Sequence, residues 1–375
     1  MTTTETDSRR LRLGTRGSRL ALTQSGQVAE ALMAAGGGGA AAAAGKASEG
    51  SGSLGIDLVT VRTDGDGDRT PLRQLGGVGV FAARLRHALL DGEVDLVVHS
   101  FKDLPTQPVE GLEVICVPPR EDPRDALCAR DSLTLADLPE GARVGTGSPR
   151  RAAQLLAARP DLEVVDLRGN VPTRLARVRG LEVVGVGTDE PVAPSRADAA
   201  GDLDAVVLAL SGLRRLGLEH CASEVLDLET MLPAPAQGAL AVEARAGEDS
   251  AELARAVAAL DDEPTRLAVT AERALMARLG AGCAAPVGAW AHLRGDSQAP
   301  RVLVLRAVVT SLDGGQEVGC ELSAELPEAS GGPGAPGDTA AVRAAEALGV
   351  RAAEVLLDDG ADQIVDLHAN KPRRH

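Results

Sequence analysis

An α/β fold ending in a small α+β domain is predicted by three observations on the 375-residue sequence. Short runs rich in Val, Leu and Ile alternate with helix-like stretches as far as about residue 262, the grammar of α/β units with buried sheets. Beyond that point one helix precedes three strand-like runs in succession and a last helix, which is an α+β order. At about 100–200 residues per domain, the length allows two or three domains, each able to bury a core. In chain order, strands are expected at 11–14, 56–61, 94–98, 112–117, 162–167, 203–209 and 239–243, with helices at 19–34, 80–91, 149–158 and 171–179. The α+β part reads as helix 264–279, strands 284–292, 301–310 and 317–324, and helix 340–358. Helix 264–279 opens with Pro264, stops at Gly280 and lines up Leu267, Ala271, Leu275 and Leu279 on one face. Segments 34–53, 187–202 and 325–339 are low in complexity or rich in Pro, Gly and Asp, and read as solvated excursions.

Composition removes whole classes of function. With 54 Asp plus Glu against 39 Lys plus Arg the net charge is −15, which disfavours nucleic acids and anionic membranes as partners. Phe81, Phe101 and Trp290 are the only aromatic residues of the Phe, Tyr and Trp type, too few for a base-stacking platform. The start, MTTTETDSRR, has no apolar signal stretch, and no run of about 18 apolar residues exists. The five cysteines are odd in number and lack CxxC pairs, which points to a reducing cytoplasm without a disulfide framework or a metal site. Only Lys46, Lys102 and Lys371 are lysines, so positive charge that matters is carried mainly by arginine.

That charge is concentrated at strand-to-helix turns. In LRLGTRGSRLA a strand runs into Gly14, Arg16 and Ser18 before a helix begins. In RVGTGSPRRAAQ, Ser148 is a natural N-cap, Pro149 suits the first helical position, and Arg150 and Arg151 fill the first turn. Cations there oppose the helix dipole, so either they are solvated surface arginines or they meet an anion at the helix start. Arg168 and Arg174 follow the next strand, and residues 143–179 hold eight arginines against three acids. A nucleotide is a poor fit, since no GxxxxGK[ST] is present and Gly145 and Gly147 lack a full GxGxxG context. The run VDLVVHSFKDLP ends a buried strand in His99, Lys102 and Asp103, where a sheet's ligand crevice is expected. Lys102 and Asp103 form either a weak surface ion pair or a carboxylate that steadies a developing cation in a basic cleft. His99 reads as a packing or hydrogen-bonding residue. Cys283 sits among very small residues, either as an ordinary buried thiol or with room for a group on its sulfur.

These segments, taken in order from about residue 11 to 293, resemble the hydroxymethylbilane synthase (porphobilinogen deaminase) family. The resemblance rests on LGTRGSRLALTQ, TPLRQLGGVGVF, VHSFKDLPT, REDPRDAL, VGTGSPRRAAQL, LRGNVPTRL, LSGLRRLGLE, LPAPAQGALAVE and TAERALMARLGAGC. It implies two hinged α/β domains like type II periplasmic binding proteins, at 1–118 with 235–260 and at 119–234, and an α+β domain at 261–375. It also implies a transferase that joins four porphobilinogens with loss of ammonia, in porphyrin biosynthesis, on a dipyrromethane cofactor carried by a thioether at Cys283. Asp103 matches the catalytic aspartate, which would hydrogen-bond pyrrole N–H groups and steady the azafulvenium cation. Lys102, Ser148, Arg150, Arg151, Arg174, Arg215 and Arg273 match cofactor binders, and Arg16, Ser18 and Arg168 match substrate binders. A monomer that hands its product to uroporphyrinogen-III synthase is implied, with neither metal nor nucleotide.

Three departures from the family pattern stand out. Gln74 and Val78 replace loop lysines, Ala236 precedes Gln237 where the family favours glycine, and Ala281-Gly282-Cys283 replaces GGC. They leave as alternatives an impaired paralogue or a non-catalytic two-lobed anion-binding module.

Overall fold

The structure is a computed structural model that describes residues 10–36, 54–61, 80–183, 201–247, 250–282, 284–295, 301–327 and 339–367. Its first lobe comprises β1 (Leu11–Thr15), α1 (Arg19–Ala35), β2 (Ile56–Thr60), α2 (Val80–Leu90), β3 (Leu96–Ser100) and β4 (Leu112–Cys116). The second comprises β5 (Asp125–Ala129), β6 (Arg143–Gly145), α3 (Pro149–Ala158), β7 (Glu163–Val165), α4 (Val171–Leu175), β8 (Ala205–Ala209), α5 (Leu210–Arg215) and β9 (Glu224–Val225). The chain returns to the first lobe as β10 (Leu240–Arg245) and α6 (Ala251–Leu260). It ends in α7 (Glu263–Leu279), β11 (Val287–Arg294), β12 (Val302–Thr310), β13 (Glu317–Glu325), α8 (Thr339–Asp358) and α9 (Ala361–Ile364).

The two five-stranded sheets share one plan, β2-β1-β3-β10-β4 and β7-β6-β8-β5-β9. In each, the first three strands run parallel, and the fourth is antiparallel to both its neighbours. That fourth strand is the one that has just crossed over: β5 leaves the first lobe and β10 returns to it. Two crossings therefore join the lobes, the reciprocal topology of a two-lobed, type II binding-protein fold. The inner strands read as apolar runs because both their faces are covered: all of β5 and four of the five residues of β3 are buried, whereas the edge strand β2 is largely exposed.

The third domain packs α7 and α8 against the antiparallel sheet β11-β12-β13, closing a core of Leu267, Leu275, Leu303, Leu305, Leu348 and Leu356. Gly349 permits that packing, since a Cβ there would lie 2.2 Å from the Ala271 carbonyl oxygen. Gly280 ends α7 in the left-handed region, at φ 64°.

Several expected elements differ. Helix 171–179 stops at Leu175, because the chain turns to make the isolated bridge from Val178 to Leu203. The strand expected at 94–98 is displaced to Leu96–Ser100, and β5, β9, α5 and α6 were not expected from the pattern. Segments 37–53 and 184–200 lie outside the described residues, as do Gln74 and Val78.

Candidate active site

Parallel strands bring their carboxyl ends to one edge of a sheet, and the cation-bearing turns lie there. In the first lobe β1 pairs with β3, so Arg16 and Ser18 leave the same edge as Lys102 and Asp103. Ser18 caps α1, its hydroxyl accepting the Ala21 N–H at 3.3 Å, and Lys102 and Asp103 close a single 3₁₀ turn after β3. Asp103 is exposed, whereas Arg16, Ser18 and Lys102 are half-buried. In the second lobe, β6 leads through Thr146 and Ser148 into α3, β7 leads to Arg168, and β8 leads to α5 with Arg215. Ser148 caps α3, accepting the Arg151 N–H at 3.5 Å.

The anion that Arg150 and Arg151 meet in the structure is a side chain of the protein itself, Asp125 at the start of β5. Arg150 Nη2 donates to Asp125 Oδ2 at 2.7 Å, and Arg151 Nε and Nη2 donate to Oδ1 at 3.0 and 2.7 Å. Asp125 is 0% exposed, Arg150 3% and Arg151 6%. Burial alone would raise the Asp125 pKa, but the two guanidinium charges outweigh it and hold the carboxyl far below the usual range. Gln237, on the return crossing, also donates from Nε2 to Asp125 Oδ1 at 2.8 Å, and its Oε1 accepts from Lys102 Nζ at 3.2 Å. The first lobe's Lys102 is thus one amide away from the second lobe's arginine pair.

One carboxylate does not balance the cations gathered here. Burial lowers Lys102 to about 8, with Asp103 opposing and Arg151 adding to the shift. Burial, then Arg151 and Arg168, lower Arg174 to about 10, with Asp166 and Asp103 opposing. That Asp103 acts on Arg174 brings the two lobes' turns face to face. The Nε atoms of Arg150 and Arg168 are buried and have no hydrogen-bond partner among the described residues. Buried donors without acceptors are costly, and a ligand with several carboxylates fits them. A dipyrromethane, with an acetate and a propionate on each of two rings, has this chemistry.

Three of the arginines, Arg273, Arg215 and Arg174, are partly committed to backbone carbonyls. Arg273 of α7 donates to the carbonyls of Phe101, Leu104 and Pro105 at 3.3, 2.7 and 2.8 Å, and its guanidinium lies 4.4 Å from the Phe101 ring centre. It fastens the turn that carries Asp103 to the third domain. Arg215 donates from Nη2 to the Gly238 carbonyl at 2.6 Å and lines an open cleft of about 420 Å³ with Arg120, Glu121 and Arg214. Arg174 donates from Nε to the Gly169 carbonyl at 2.7 Å. Cys283 lies outside the described residues; Gly282 and Ala285 on either side are joined by a backbone hydrogen bond of 2.9 Å.

Sequence reasoning missed Asp125, Gln237 and Glu272. Glu272 of α7 is 0% exposed, pairs with both Nη atoms of Arg120 at 2.6 and 3.1 Å, and accepts the N–H groups of Ala236 and Ala291. It joins the third domain to both crossings. The only signal for it was a charge on the mainly apolar buried face of the helix. His99 is buried, its Nε2 3.0 Å from Glu243, which also receives Arg86.

Two family models match the chain: "Porphobilinogen deaminase, dipyromethane cofactor binding domain" over residues 11–253, and "Porphobilinogen deaminase, C-terminal domain" over residues 266–358. The chain is 51% identical over 366 residues to the porphobilinogen deaminase of Cutibacterium acnes, covering 97% of this chain and 99% of that one. It is 52% identical over 374 residues to the porphobilinogen deaminase of Micrococcus luteus, covering 94% and 93%.

Proposed function

Because the chain belongs to the porphobilinogen deaminase family, we propose that the turn bearing Lys102 and Asp103, with the arginines that face it, is its active site. The chain is a transferase that joins four porphobilinogens into hydroxymethylbilane with release of ammonia, on a covalently bound dipyrromethane. Both family models together span the two lobes and the third domain, which supports this reading over a non-catalytic anion-binding module. Bound dipyrromethane supplies the pyrrole carbon to which the first substrate unit is joined. Cys283 carries it through a thioether, and Lys102, Ser148, Arg150, Arg151, Arg174, Arg215 and Arg273 hold or frame its carboxylates. Arg16, Ser18 and Arg168 receive the carboxylates of porphobilinogen. Asp103 accepts hydrogen bonds from pyrrole N–H groups and stabilises the substrate cation left when the amine departs, an electrostatic task suited to a carboxylate among cations. The domain limits we assign are 1–118 with 235–260, 119–234, and 261–375. We further assign a cytoplasmic monomer whose product passes to uroporphyrinogen-III synthase.

The observation that carries this assignment is geometric: Lys102, beside Asp103, shares the Gln237 amide oxygen with Arg151, and the buried Nε atoms of Arg150 and Arg168 have no hydrogen-bond partner among the described residues. Asp103→Ala tests it. Turnover of porphobilinogen should fall by at least about a hundredfold, in line with loss of an electrostatic catalytic group, while the covalent adduct on Cys283 is retained. Normal turnover by this variant would remove Asp103 from the chemistry.

A further inference from the structure

Resting on that assignment of Lys102 and Asp103, we propose that Gln237 is a positioning residue for the reaction. Its side-chain amide ties Lys102, on the catalytic turn of the first lobe, to Asp125, which seats Arg150 and Arg151 in the second. The two halves of the cation array are thereby set as one unit.

The amide of Gln237 has two donors and a carbonyl with two lone pairs, and all four are used. Nε2 donates to Asp125 Oδ1 at 2.8 Å and to the Pro123 carbonyl at 2.7 Å. Oε1 accepts from Lys102 Nζ at 3.2 Å and from Arg151 Nη2 at 3.5 Å. Cations lie on the oxygen side and a carboxylate on the nitrogen side, so the charges around it fix the amide's orientation. A glutamate here would repel Asp125, and an apolar residue would leave Lys102 without this acceptor. The backbone is equally constrained. Gln237 is 1% exposed, between Ala236 at φ 61° and Gly238 at φ 91°. A Cβ at position 238 would lie 2.2 Å from the Glu121 carbonyl oxygen, and Glu272 takes the Ala236 N–H. The loop cannot relax away from the site without breaking the contacts of both crossings.

Lys102 reports on this tie. The charged groups that act on it are Asp103 on its own turn and Asp125, Arg150 and Arg151 from the second lobe. Only three lysines exist in the chain, so competitive acetylation followed by peptide mass analysis reads the titration of Lys102 directly, without substrate. In Gln237→Met, which keeps the length and loses every polar contact, the labelling midpoint of Lys102 should fall by about one pH unit. In Gln237→Glu it should rise by about one pH unit, because a carboxylate then faces the ammonium. The alkaline limb of kcat/KM should move in the same two directions, and kcat should drop about tenfold in both variants. A packing role alone would move neither midpoint, or both the same way. The proposal is overturned if both midpoints stay within about 0.3 of the parent, or if they shift together. Should Gln237→Met fail to fold, the rise in Gln237→Glu decides alone. A parent protein lacking the two-pyrrole mass increment would sink the functional assignment instead, and the labelling would still decide Gln237.

Discussion

Asp125→Asn is the substitution with the largest consequence that follows from the geometry. The Asp125 carboxylate accepts four hydrogen bonds, three from Arg150 and Arg151 and one from Gln237. All three charged side chains are at least nine-tenths buried. Removing the anion leaves two guanidinium groups inside the protein with no compensating charge, a change that costs about 3–5 kcal/mol. Chemical denaturation followed by far-UV circular dichroism at pH 7 should show that loss. The Asp125 pKa is depressed in the folded state, so its stabilisation is present above about pH 4 and is lost as the pH falls below that value. The gap between parent and variant should therefore be widest at neutral pH and shrink on acidification. A variant within about 1 kcal/mol of the parent at pH 7, or a gap that grows with acid, would refute the buried-pair account.

Two further outcomes follow from the same electrostatics. In a cofactor-free Cys283→Ser background, Arg168→Gln should stabilise the protein by about 1 kcal/mol by relieving repulsion on Arg174, while in the Cys283-bearing chain it should raise KM for porphobilinogen. Unchanged or lower stability in that background would mean the cations are balanced without a ligand. Glu272→Gln should cost about 3–5 kcal/mol, because Arg120 loses its buried partner. It should also shift the fluorescence of Trp290, the only tryptophan, whose neighbour Ala291 donates its N–H to Glu272. An unaltered spectrum and denaturation midpoint would show that the clamp is dispensable.

Much of the site was legible in the sequence because its signals are local. Ser18 and Ser148 are caps identifiable from residue type, and the strand ends carrying Arg16, Lys102, Asp103 and Arg168 follow from short apolar runs stopped by Gly or Ser. The partner of Arg150 and Arg151 was not legible, because Asp125 opens a five-residue strand, DALCA, whose sequence carries little β-branched character. Its pairing depends on a crossing between lobes that no local pattern encodes. Gln237 and Glu272 were hidden for the same reason: each acts across an interface between domains, through partners distant in sequence. Helix α4 was overestimated because Arg177 and Arg179 continue a helical pattern while the backbone is drawn into a bridge with Leu203. The glycine-to-alanine departure at Ala236 proved informative in three dimensions. It takes a left-handed φ of 61°, a conformation that costs a non-glycine residue about 1–2 kcal/mol, with Glu272 holding its N–H.

In the proposed enzyme this array of cations surrounds a covalent dipyrromethane on Cys283. Intact-protein mass, measured after expression in a host replete with porphobilinogen, tests it most directly. The parent should carry an increment of two pyrrole units that is absent in Cys283→Ser, and the parent alone should give a colour reaction with Ehrlich's reagent. An unmodified parent mass, or an increment that survives loss of Cys283, would contradict it.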